Sequence, residues 1–402
     1  MADSFEFITG GGVTSPQGFH AGAVYAGIKK KARDCLDLGI LYSQVPCATA
    51  AVFTANRIQA APVVLSRRRL QSGRVVAVVV NSGCANACTG EDGLADAEET
   101  AALAAKGIGV SPEDVLVAST GVIGQRLPMD KISDAIGHIA LSREGGHELT
   151  KAIMTTDTVP KAAAVGVGGG FTIGGTAKGS GMIHPDLATL LCFLTTDASV
   201  EASFLQSALR QAADVSFNMV SVDGDTSTND MVLLMANGLA GGETIAQGSR
   251  QAGAFQQALE GLCIHLARAI ARDGEGATKL IEVTVSGAPS VADARRVART
   301  IVSSPLVKTA VYGSDPNWGR VIAAAGRSGV AVVEAKVDLY IGGACLLIAG
   351  RPQPFDRETL VKILDKGEVQ IAVNLNLGSG LATAWGCDLS EEYVVINSQY
   401  TT

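Results

Sequence analysis

The sequence predicts an α/β fold, arranged as one large intertwined unit or as two or three domains. Three observations carry that reading. Short β-branched apolar runs stop at Gly-containing turns, stretches with helical spacing lie between them, and 47 glycines punctuate a chain of 402 residues that is 47% hydrophobic but only 4% aromatic. The mean hydropathy of +0.27 implies a large buried core and extensive subunit contacts.

Taken in order, Arg74–Asn81 reads as a buried strand that ends at Asn81-Ser82-Gly83. An Ala- and Glu-rich helix comes next, over Leu94–Lys106. Asp114–Ala118 gives a second strand, broken by Ser119-Thr120-Gly121. Met129–Leu141 has helical spacing at Ile132, Ile136 and Ile139. Ala162–Val167 and Phe171–Ala177, separated by glycines, form a β-hairpin. Leu190–Leu194 is again strand-like, and Ser199 is placed to cap a helix running to Phe217. Phe255, Leu259, Leu262, Leu266 and Ile270 mark an amphipathic helix. Ile281–Val285 reads as a strand, Ser290 with Asp293 opens another helix, and Tyr393–Ile396 reads as a terminal strand. No linker or internal repeat is visible.

A net charge of −7 and a pI near 5.3 argue against a nucleic-acid partner, since no basic face can displace counterions. The densest basic run, Arg67-Arg68-Arg69, reads as a solvated helix end. No stretch has the roughly 18 to 20 apolar residues of a membrane span. Asp3 and Glu6 stand where a targeting segment would be basic, so a cytoplasmic protein is expected. The eight cysteines read mostly as small buried residues. Cys84 and Cys88 lack the partners of a zinc site, and no metal is expected. Asp223, Asp225 and Asp230 do not have EF-hand spacing and read as turn residues or residues behind a site.

No P-loop, nucleophile elbow or H-E-x-x-H motif is present, and His265 reads as structural. The distinctive segment is Ala177–Leu191, a glycine-rich, Pro-containing turn leading into Ala188-Thr189 and an apolar run. It resembles the autocleavage segment of the glutamate N-acetyltransferase (ornithine acetyltransferase) family, K-G-x-G-M-I-x-P-x-x-A-T-x-L. Lys178, Gly179, Gly181, Met182, Ile183, Pro185, Ala188, Thr189 and Leu191 match. Further landmarks stand in order at residues 81–86, 119–124, 154–158, 222–226, 272–279, 315–320 and 397–402.

The resemblance implies a layered α/β fold with mixed sheets, of the self-processing type with an N-terminal threonine nucleophile. It implies a cut between Ala188 and Thr189, giving pieces 1–188 and 189–402 that assemble as α2β2. Thr189 would then be the nucleophile, Thr120 and Gly121 the oxyanion donors, and Thr155, Lys178, Thr189, Glu275, Asn397 and Thr402 the substrate contacts. The implied reaction moves an acetyl group from N2-acetylornithine to glutamate through an acetyl-Thr intermediate in arginine biosynthesis, without a cofactor. Some members also take acetyl-CoA as donor and make N-acetylglutamate. The rival reading is a self-processed N-terminal-nucleophile aminopeptidase or amidase, in which water deacylates the enzyme.

The chemistry agrees. A Thr hydroxyl needs a base, and the α-amine freed by the cut, with an ordinary pKa of about 7.7 to 8.0, supplies one on the same residue. Lys178 suits a substrate carboxylate and Glu275 the ornithine ammonium.

Overall fold

The β-branched runs pair into two mixed sheets in a layered α/β arrangement. The structure is a computed structural model that describes residues 5–29, 35–168, 170–184 and 190–399. The first sheet runs Phe5–Phe7, Lys161–Val167, Phe171–Lys178, Leu191–Val200, Met231–Ile245, Leu38–Phe53, Val75–Cys84, Val115–Val122, with Phe19–Val24 also paired to Leu38–Phe53. The second runs Arg351–Pro352, Ala344–Ile348, Asp338–Ile341, Glu368–Asn374, Leu280–Ala288, Gly380–Cys387, Val220–Ser221. Val75 to Val80 are all buried, as a strand covered on both faces requires.

The helix Ala252–Arg272 packs on the hairpin strands of the first sheet and on Gly380–Cys387 of the second. Phe255, Leu259, Leu262, Leu266 and Ile270 are each fully buried in one core that continues from Ile173 and Leu194 to Ile281 and Val283. Each such side chain contributes about 1.5–3 kcal/mol of burial, an upper figure against a compact unfolded chain. The predicted hairpin, this helix and the Ser290 cap are present; Ser290 Oγ accepts from Asp293 N at 3.1 Å.

Several expectations are corrected. Ser199 caps nothing: its strand continues to Val200, because Ala198 and Val200 pair with Gly241 and Ile245, and the helix is Ala202–Val215 with Glu201 at its N-cap. The helix from Met129 stops at Ile136, since the chain turns at Gly137 so that Ser142 can exchange two 2.9 Å backbone bonds with Ala21. The strands expected to end at Ala118 and Asn81 run on to Val122 and Cys84, pairing in parallel with each other. The tail is the helix Glu391–Gln399 and not a strand. Glu391 and Glu392 favour a helix N-terminus, and Asn397 Nδ2 donates to the Tyr393 carbonyl one turn back at 3.0 Å.

The basic run does end a helix, Ala61–Arg69, but only in part solvated. Arg68 pairs with Glu98 at 2.6 Å, whereas Arg69 is buried and donates to the Val115 carbonyl at 2.7 Å. Five of the eight cysteines are buried and all are free thiols. His265 lies against the Phe7 ring with centroids 4.9 Å apart. Among the described residues, no group of side chains could hold a metal ion and no helix is long and apolar enough to cross a membrane.

Strand pairing brings distant parts of the chain to one place. Lys178 stands opposite Leu191 in the antiparallel pair, and Leu191 opposite Met231 in the parallel one. The ends of the chain on either side of residues 179–190 therefore meet within the first sheet.

Candidate functional site

Thr120 and Gly121 lie inside the strand Val115–Val122, near its C-terminal end, and not on a turn after it. Gly121 has a φ of +131°, and a Cβ there would sit 2.4 Å from the Gly83 carbonyl carbon, so the close approach to the neighbouring strand needs glycine. Side chains fix this corner. Ser119 Oγ donates to Asn81 Oδ1 at 2.6 Å, and Asn229 Nδ2 donates to the carbonyls of Ala85 at 2.6 Å and Ser119 at 2.9 Å.

Lys178 closes the strand Phe171–Lys178 and reaches toward this corner, with Nζ 3.5 Å from Thr120 Oγ1. Burial pushes its ammonium pKa down, while the charges of Asp157, Asp230 and Glu275 work against that and Lys161 adds to it. Glu275 is held at its backbone by the Ser180 carbonyl at 2.8 Å, and its Oε2 accepts from Asn397 Nδ2 at 2.8 Å. The Glu275 carboxylate lies where a Cβ on Gly181 would be, 2.4 Å away, so Gly181 makes room for it. Asp223 accepts the backbone N–H groups of Met182 at 2.5 Å and Ile183 at 2.9 Å, both on the cavity wall, and that of Asp225 at 3.1 Å in its own turn.

Thr120, Gly121, Thr155, Lys178, Glu275 and Asn397 all line a single cavity of about 300 Å³. Leu190, the first described residue after 184, lines it as well. Three predicted positions, Ala188, Thr189 and Thr402, lie outside the described residues.

Asp230 is more than a turn residue. It lines the same cavity just ahead of the strand Met231–Ile245, and its Oδ2 is buried without a hydrogen-bond partner among the described residues. Burial pushes its carboxyl well above the usual carboxylate range, outweighing the hydroxyls of Ser227 and Thr54 and the charge of Lys178. The folded chain thus holds a proton that the unfolded chain releases above about pH 3.9, so this group lowers stability as pH rises from there. Asp230→Asn is expected to raise stability at pH 7 by on the order of 1–3 kcal/mol and to leave it little changed at pH 4. Urea unfolding at the two pH values checks this; an equal effect at both would count against it.

Behind the cavity, Lys161 Nζ lies 2.7 Å from Asp157 Oδ1 and 2.5 Å from Asp273 Oδ2, all three side chains being buried. Thr158 donates to Asp273 through both its N–H and its hydroxyl. Asp157 also accepts from Thr155 N at 3.0 Å and Gly179 N at 2.7 Å. The sequence reading missed this cluster and Asn229. The available signal was position: Asp157, Thr158 and Asp273 fall inside landmark segments, next to Thr155 and Glu275.

The model of the ArgJ family matches residues 20–402. The arginine biosynthesis bifunctional protein ArgJ of Dehalococcoides mccartyi is 55% identical over 405 residues, covering 100% of both chains. The protein of the same name from Symbiobacterium thermophilum is 55% identical over 397 residues, 98% of this chain and 99% of its own. Among solved structures, the arginine biosynthesis bifunctional protein argJ of Bacillus halodurans is 48% identical with a TM-score of 0.50, covering 51% of this chain and 97% of that one. With a family match and this identity over essentially the whole length, the chain belongs to the ArgJ family.

Proposed function

We propose that the protein is a glutamate N-acetyltransferase of arginine biosynthesis that cuts itself between Ala188 and Thr189 and carries the acetyl group on Thr189. The observation that carries this reading is the convergence of Thr120, Gly121, Thr155, Lys178, Glu275 and Asn397, drawn from widely separated segments, on one cavity beside Leu190. Leu190 is the residue bonded to Thr189.

In the first step Thr189 Oγ attacks the Ala188 carbonyl, the peptide C–N bond breaks, and the proton lost by the hydroxyl goes to the departing nitrogen. Water then cleaves the resulting ester, leaving Ala188 as a carboxylate and Thr189 with a free α-amine. That amine takes the Oγ proton when Thr189 attacks the acetyl group of N2-acetylornithine and passes it to the α-nitrogen of ornithine, which leaves as the acetyl C–N bond breaks. The α-amine of glutamate attacks the acetyl ester in turn, giving N-acetylglutamate and restoring the hydroxyl. Thr120 Oγ1 and the Gly121 N–H suit the oxyanion of each step, a donor of that kind being worth on the order of 3 kcal/mol of barrier. Lys178 offers a cation for a substrate carboxylate, and Glu275, steadied by Asn397, an anion for the ornithine ammonium.

The half-length of the solved Bacillus halodurans chain, 51% of this one, is in keeping with a cut that leaves 188 and 214 of the 402 residues. The first sheet takes strands from both pieces, since Phe171–Lys178 pairs with Leu191–Val200, so the pieces stay together after the cut. The reading extends to an α2β2 assembly and, in keeping with the word bifunctional in the relatives' names, to acetyl-CoA as a second donor.

One experiment tests the core of this. The purified protein is incubated with N2-acetylornithine and glutamate, and N-acetylglutamate and free acetate are measured together. N-acetylglutamate is expected to account for the donor consumed; acetate in its place would mean a hydrolase. Replacing the donor by acetyl-CoA in the same assay reads the second activity, and light scattering reads an assembly of twice 41.1 kDa.

A further inference from the structure

Thr155 precedes the hairpin of Lys161–Val167 and Phe171–Lys178, and Lys178 ends it, yet a single carboxylate ties both into the cavity wall. Asp157 is completely buried in its side chain and does not itself line the cavity. Its Oδ2 accepts the Thr155 N–H at 3.0 Å, and its Oδ1 accepts the Gly179 N–H at 2.7 Å, fixing the backbone on which Lys178 sits. Of the charges that act on the Lys178 ammonium, Asp157 is the strongest attraction, ahead of Asp230 and Glu275, and Lys161 is the repulsion.

We propose that Asp157 is a positioning residue of the substrate site, setting Thr155 against Lys178 and supplying the counter-charge that keeps Lys178 ready for a substrate carboxylate. The inference rests on the acetyltransferase reading of this cavity. It does not follow from the ion pair with Lys161 alone, because Asp273 meets Lys161 equally closely and touches neither Thr155 nor Gly179.

That contrast supplies the test. Asp157→Asn and Asp273→Asn each remove one negative charge from the same buried cluster of the full-length protein, but only the first touches the site. In Asp157→Asn, KM for N2-acetylornithine is expected to rise about tenfold, equivalent to the loss of about 1.4 kcal/mol of binding, with a much smaller change in kcat.

Burial already lowers the Lys178 pKa, and taking away a neighbouring negative charge lowers it further. The alkaline limb of kcat/KM should therefore move down by about 1 pH unit. The groups facing Lys178 that remain, Lys161, Asp230, Glu275 and the Thr120 hydroxyl, are unchanged by the substitution. Asp273→Asn should keep both the KM and the limb of the wild type. Equal behaviour of the two variants, or a wild-type KM in Asp157→Asn, would overturn the assignment.

Asp157→Glu keeps the charge and displaces the carboxylate by one methylene. It is expected to leave the alkaline limb in place while raising KM, and a wild-type KM there would overturn the assignment even if Asp157→Asn does not fold. The wild-type arm separates the role of Asp157 from the function of the cavity. Absence of transfer from N2-acetylornithine to glutamate in that arm would refute the reading of the site, whereas failure confined to the variants refutes the role of Asp157.

Discussion

Thr189→Ala is expected to leave the chain as one band near 41.1 kDa and to reduce acetyl transfer at least about 1,000-fold. Both losses have one cause. The methyl side chain has no oxygen to attack the Ala188 carbonyl, so the peptide stays whole, and none to accept an acetyl group afterwards. The α-nitrogen of residue 189 then remains an amide, which is no base at neutral pH, so a second catalytic element is missing as well. Thr120, Gly121 and the charged wall of the cavity would persist, so binding of N2-acetylornithine should fall far less than turnover. Denaturing gels with N-terminal sequencing, a transfer assay and a direct binding measurement check the three parts. A variant that still divides into two fragments beginning at residue 189 would remove Thr189 from the cleavage chemistry.

The wild type is expected to provide the contrast, two fragments whose second begins with Thr. Those fragments share the first sheet through the pairing of Lys178 with Leu191, so they should separate only under denaturing conditions. A native column should show them together.

How far this site could be read from the sequence depended on distance along the chain. The helix Ala252–Arg272 and the hairpin Lys161–Val167 with Phe171–Lys178 were legible because their signals are local, a spacing of three to four or two apolar runs around glycines. The landmark segments, through the family they resemble, gave candidate site residues, and six of these share a cavity. Strand ends were less legible. Asn81 and Ser119 look like turn residues, but their side chains bond to each other across two parallel strands, which lets the strands continue past them. The tail failed for a different reason: Val394, Val395 and Ile396 have strand character, but Glu391 and Glu392 just ahead of them open a helix. Least legible was the buried cluster, whose key pair, Lys161 and Asp273, stands 112 residues apart. No local pattern can announce such a pairing.

That cluster makes the second large prediction. Lys161→Met should cost about 3–5 kcal/mol of folding stability at pH 7, because it removes the cation and leaves the carboxylates of Asp157 and Asp273 buried without it. Methionine fills a similar volume, so the loss is electrostatic and not a cavity effect. The pH dependence separates these causes. Burial pushes the Asp157 carboxyl up, but the ammonium groups of Lys178 and Lys161 and the Gly179 N–H prevail and hold it well below the usual carboxylate range. An acid whose folded pKa is lowered contributes stability that is present above its unfolded value, about 3.9, and is lost as pH falls through the folded one. Lys161→Met weakens that contribution, and protonation of Asp157 relieves the penalty that remains on it. The deficit of the variant against wild type should therefore be largest at pH 7 and shrink toward pH 4, as read from urea unfolding across that range. A deficit that stays constant with pH would mean that Lys161 matters for packing rather than charge, and that Asp157 draws its counter-charge from Lys178, the cation at the wall of the cavity.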